Sequence, residues 1–214
     1  YGHDIGIDEA DGSHVGFSRN IKDLYDKMEP WKGQTVRIFL FGDLRSGITF
    51  DGTGTPTGFT AKVYEDMQAL LDCAQALGIK LIPVLLDFTI ADGKTNDGHP
   101  LGEHPDLITN TAKRTALLNI FDDFIAAYKD NANIYAWDIM NEPEGSNGIS
   151  GITKEDLQAF VKSFEDMIHG VKSSLKVTVG SRSRKELVEY WKNLAGLDLD
   201  LIQFLAHIRK QTAQ

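Results

Sequence analysis

Asn141 and Glu142 follow the run IYAWDIM (134–140) and stand directly before Pro143, with a second carboxylate, Glu144, behind it. An apolar, aromatic-rich run that stops on an amide, an acid and a helix breaker is either an ordinary strand terminus or the delivery of a carboxylate to a site. A glutamate on the tip of a rigid strand can give or take a proton. An asparagine beside it offers both a donor and an acceptor, which suits a sugar hydroxyl. Pro143 stops the strand and turns the chain, so both neighbours can reach one opening despite strand alternation. On chemistry and position alone, a capping or solvated acid stays open beside the catalytic reading.

Further groups invite the same scrutiny. Asp87 stands next to last in the run KLIPVLLDF and Asp43 lies just past TVRIFLF, where both are candidates for contact with a polar substrate. Asp138, inside its run, and Glu144, past the proline, read as structural. His99 and His104 with Glu103, in GHPLGEHPDL, would make a metal group, but their spacing matches no helical ligand motif and a proline-containing loop explains them. No metal or cofactor is expected. Trp191 and Phe88 carry rings that can stack on the C–H face of a pyranose, with packing as the alternative; Trp31 and Trp137 read as packing. Cys73 is the single cysteine, which excludes an intrachain disulfide and a cysteine-based zinc site, and its apolar helical surroundings imply a buried thiol.

The elements that must position these groups alternate in period. Helical spacing of apolar residues covers 17–28 (Ile21, Leu24, Tyr25, Met28), 60–77, 116–128 and 153–171, with a weaker helix over 184–194. Thr153 ahead of Glu155 and Asp156 reads as an N-cap with acids in the first turn. Between the helices lie the continuous apolar runs 35–41, 80–88, 134–140, 176–180 and 200–206, the pattern of strands covered on both faces. Pro83 is a blemish in the second of them. Strand and helix in succession mean βαβ units and a parallel sheet, either doubly wound or a (β/α)8 barrel. The stretch GITFDGTGTPTG reads as a long surface loop, being neither GxGxxG nor a P-loop. Long connections after strands and short ones after helices place the elaborated loops where barrel enzymes build their sites, so a single barrel domain over 1–214 is expected.

The 214 residues carry a formal charge of -9 with 42% hydrophobic content, which is globular and argues against nucleic-acid binding. No apolar run approaches the roughly 18 residues of a membrane span, and no membrane partner is expected. The first residue is Tyr rather than Met, which leaves the compartment open.

The segment YAWDIMNEPE resembles the strand-four motif of the clan A retaining glycoside hydrolases, (β/α)8 barrels that include β-mannanases and β-1,4-glucanases. VRIFLF with Arg37 is similar to their strand two, and FTAKVYEDMQALLDCAQALGIKLIPVLLDF to the following helix and strand three. The resemblance implies that Glu142 is the general acid/base, that Asn141 holds the 2-hydroxyl of the sugar being cleaved, and that Arg37 orients the nucleophile. It further implies an oligo- or polysaccharide substrate of mannan or glucan type and a secreted or cell-envelope location. His207, in FLAHIRKQTAQ, stands near the place of the histidine that ends strand six. The clan's nucleophile ends strand seven, and no run after 200–206 takes that place. An incomplete barrel of about strands two to six with part of strand one is therefore expected, with open edges prone to self-association, and a non-catalytic carbohydrate-binding barrel is the alternative function.

Overall fold

The computed structural model describes residues 5–6, 16–92, 102–192 and 196–204. Strand β1 (Thr35–Phe39) is followed by a hairpin of β2 (Ile48–Phe50) and β3 (Pro56–Phe59), then by β4 (Lys80–Asp87), β5 (Trp137–Asn141), β6 (Val177–Ser181) and β7 (Leu201–Phe204). Helices α1 (Ile21–Met28), α2 (Val63–Leu77), α3 (Asp106–Thr109), α4 (Thr111–Tyr128), α5 (Lys154–Val171) and α6 (Arg184–Glu186) alternate with them, α6 running into a π turn at Leu187–Trp191. The five long-range strands pair in parallel in the order β1-β4-β5-β6-β7. Strands added always on the same side, through crossovers of one hand, put their helices on one face of the sheet. A doubly wound sheet would need the order to reverse, and here it does not. The sheet is of the barrel type.

Its helix-facing side is apolar. Trp137 and Ile139 are fully buried, and the Trp137 ring lies 6.0 Å from Phe124 of α4. Phe121 bridges to Phe164 of α5 at 5.5 Å. Cys73 is buried in α2, and burial pushes its thiol up to about 11. The opposite side of the sheet carries Arg37, Phe39 and Asp138, with the guanidinium 5.1 Å from the Phe39 ring centre.

Local chemistry sets the ends of these elements. The chain leaves α2 at Gly78 in the left-handed region, where the amide of Ile79 bonds back to Ala74 and β4 begins at once. Asn110 caps α4 through the amides of Ala112 and Lys113. Thr153 and Asp156 form a reciprocal capping box on α5. Thr153→Ala should lower stability by about 1 kcal/mol, read as an earlier urea midpoint at unchanged slope, whereas Thr153→Ser should leave the midpoint nearly in place.

Several expectations need correcting. Helix α1 starts at Ile21 rather than residue 17, because the backbone amide and hydroxyl of Ser18 are both taken by the buried Asp66. Ile21 and Trp31 are each 52% exposed and pack nothing central. The stretch 47–58 is no featureless loop: it folds into β2 and β3, with the Asp51 carboxylate receiving the amides of Thr53 and Thr55 at the turn. Pro83 sits in a central strand after all. Leu81 gives its N–H to Asn133 and receives that of Tyr135, so Pro83, two residues on, turns its missing donor toward the same neighbour. The ladder breaks there, with Ile134 an isolated bridge and regular pairing resuming at Val84 and Asp138.

Candidate active site

The sheet's C-terminal end gathers β1, β4, β5 and β6 around one guanidinium. Arg37 donates from Nε to Asp138 Oδ2 at 2.8 Å and from Nη2 to Asn141 Oδ1 at 3.0 Å. Residues three apart on a regular strand face opposite ways. Here Asp138 pairs with Thr178 but Asn141 with Gly180, so β5 carries one extra residue against β6. This bulge brings the carboxylate and the amide onto the same cation. Gly180 is required by that arrangement: a Cβ there would lie 2.5 Å from Arg37 Nη2 and 3.3 Å from Cζ.

The Asn141 amide is held from both ends. Its Oδ1 accepts from Arg37, and its Nδ2 donates to Asp87 Oδ2 at 2.6 Å, which fixes which end of the amide is oxygen. Asp87 in turn is anchored by the amide and hydroxyl of Thr89, at 3.0 and 2.7 Å. One amide N–H and one lone pair of Asn141 remain for a ligand hydroxyl. Asp87, expected to touch substrate, accepts here from the Asn141 amide.

Glu142 follows in the left-handed region (φ 46°, ψ 49°), a conformation that costs a non-glycine residue about 1–2 kcal/mol. Its N–H donates to Gly180 O, and it is 8% exposed. Arg37 fills the space over the Gly180 Cα while Glu142 bonds the same residue's carbonyl, so both border one point at one end of the sheet. The Arg182 guanidinium, bonded by Glu186 and within the field of Glu142 and Glu144, is held more firmly protonated than a free arginine.

Trp191 is 3% exposed and its Nε1 donates to Glu144 Oε1, so its ring offers no face to a sugar. Asp43 is 6% exposed and paired with Arg45 at 2.7 Å. His104 stacks on Phe50 with ring centres 4.2 Å apart, and burial pulls its imidazole below the usual range. His99 and His207 lie outside the described residues, and among those described no three His, Cys, Asp or Glu side chains converge as a metal group. No described helix is long and apolar enough to cross a membrane. Asp138 and Glu144, read as structural, are bonded to Arg37 and to Ser181 with Trp191 respectively. Gly180 was not singled out from sequence; its only signal is a glycine closing KVTVG.

The sequence model of the cellulase family, glycosyl hydrolase family 5, matches residues 2–201. The chain belongs to that family. Relatives include two mannan endo-1,4-β-mannosidases, from Cryptopygus antarcticus (25% identical over 149 residues) and Mytilus edulis (26% over 145). Each alignment covers 68% of this chain, which spans only 36% and 37% of those proteins. Among solved structures, the β-mannanase of the blue mussel Mytilus edulis superposes with a TM-score of 0.67 at 24% identity, over 85% of this chain and 55% of that one. The described sheet is thus an arc of a family 5 (β/α)8 barrel.

Proposed function

We propose that the chain is the acid/base-bearing part of a retaining glycoside hydrolase acting on β-1,4-linked mannan, with Glu142 as general acid/base. The observation that carries this reading is the placement of Glu142 beside an Asn141 amide clamped by Arg37 and Asp87, at the C-terminal end of a central parallel strand. The amide keeps one donor for a sugar 2-hydroxyl, and Arg37 is the positioning cation. Mannan is preferred over glucan because the two relatives named above are mannan endo-1,4-β-mannosidases.

Retaining hydrolysis needs a second carboxylate about 5–5.5 Å away, ionised to attack. Asp87, Asp138, Asp43 and Glu144 are engaged by Asn141, Arg37, Arg45, and Ser181 with Trp191, and none of these four is assigned that role. The second reading is a sugar-binding barrel without turnover. Reducing-end release from β-1,4-mannan and β-1,4-glucan by the complete protein distinguishes the two. Mannan cleavage that disappears in Glu142→Ala is expected. Cleavage surviving that change removes Glu142 from the chemistry, and binding without cleavage establishes the second reading.

A further inference from the structure

A left-handed backbone at a non-glycine residue persists only where its surroundings over-determine it. At Glu142 the constraint comes from the turn behind it. Pro143–Ser146 form one tight turn, and its last two residues are fastened to the end of β4: Ser146 Oγ donates to Phe88 O at 2.9 Å. Gly145 lies so close to the Phe88 ring that a Cβ would meet it at 2.7 Å.

The other side of the turn is held by one carboxylate. Glu144 is 4% exposed and accepts from Ser181 Oγ at 2.5 Å, from Trp191 Nε1, and more weakly from the Arg182 amide at 3.4 Å. All three donors lie outside the 141–146 segment, two of them at the C-terminal end of β6. The third comes from the π turn, a rare helical register that recurs at functional places. The irregular turn there presents the Trp191 N–H to the buried oxygen. Taking the carboxylate away leaves the buried Trp191 N–H unpaired, whereas Ser181 Oγ keeps Ser183 O at 3.2 Å as an acceptor, and it removes the side-chain tie of the turn to β6.

We propose that Glu144 is a positioning residue, holding Glu142 in its left-handed conformation by locking the turn to Ser181 and Trp191. Its catalytic consequence rests on Glu142 being the acid/base; its structural content does not. Nuclear magnetic resonance on the labelled 214-residue chain reads that content directly. In Glu144→Ala the Cα and Cβ shifts of Glu142 should leave their left-handed values, and exchange protection of its amide, bonded to Gly180, should fall at least about tenfold. Glu144→Gln keeps an acceptor for Ser181 and Trp191 and should retain the left-handed shifts. Trp191→Phe, which keeps a buried ring but loses the N–H, should lower the protection in part. Unmoved shifts and protection at Glu142 in Glu144→Ala overturn the proposal, however far the melting temperature falls. If that variant does not fold, unaltered protection in Trp191→Phe overturns it instead. In the complete protein, Glu144→Ala should lower kcat about a hundredfold at nearly constant KM, the signature of a misplaced catalytic group. Hydrolysis surviving in Glu142→Ala would remove the acid/base reading while leaving the resonance result standing.

Discussion

Asp138→Ala should destabilise the fold by about 3–5 kcal/mol, the largest stability loss expected from any single change at this site. The Asp138 side chain is fully buried, and its partner Arg37 is only 18% exposed. The pair itself need not be strongly stabilising, since both charges were desolvated to make it. Removing one partner is another matter, because the guanidinium remains on the sheet with its counter-charge gone. The Asn141 oxygen that Arg37 also binds is neutral and cannot replace it. Asp138→Asn keeps an acceptor for Nε and should cost less, about 1.5–3 kcal/mol for a hydrogen bond to a charged group. Replacing Arg37 and Asp138 together by apolar residues of similar size should recover part of the loss. Urea unfolding followed by tryptophan fluorescence measures all three variants. A loss below about 1 kcal/mol in Asp138→Ala would mean that water reaches Arg37 well enough to replace the carboxylate.

What was legible in the sequence follows from which signals are local. Helical spacing located α2, α4 and α5 because their buried faces are continuous, as with Leu117, Phe121, Phe124 and Ile125. The strands were legible as apolar runs, since burial on both faces removes alternation. Strand order, by contrast, is a pairing property: long connections after strands pointed to a barrel, and the observed order β1-β4-β5-β6-β7 agrees with it. Ile21 fits the helical stripe yet faces solvent, because Asp66 fixes where α1 begins. The β2–β3 hairpin went unread because strands of three and four residues, rich in Thr and Gly and with a register shift at Thr49/Phe50, have no usable period.

At the site, position and residue chemistry pointed to Asn141 and Glu142, and the family resemblance alone pointed to Arg37. Their mutual geometry was not legible, because it depends on a bulge. With regular pairing, Asp138 and Asn141 would face opposite sides of β5, and one arginine would not reach both. Trp191 illustrates the same limit: an aromatic on a helix reads alike whether it faces a sugar or a buried carboxylate. The register of the π turn decides, and residue types do not encode it in any simple way.

On the proposed acid/base role, Glu142→Ala should lower the rate of mannan hydrolysis by the complete protein about 10²–10⁴-fold, the usual worth of such a group. The two chemical steps should separate under it. A sugar leaving group departs as an alkoxide unless protonated, so bond cleavage in mannan suffers fully. An aryl mannoside with a strongly acidic phenol needs no proton to depart, so formation of the glycosyl-enzyme should survive, while its hydrolysis slows for want of a base. Azide is already an anion and needs no base, so it should restore turnover of the aryl substrate and give a mannosyl azide of retained configuration. Asn141→Ala should behave differently, weakening both steps with no rescue, because a 2-hydroxyl contact strengthens in both transition states. Equal loss on mannan and on the aryl mannoside, with no azide product, would assign Glu142 to binding rather than proton transfer. The clamped amide of Asn141 would then be the more important member of the pair.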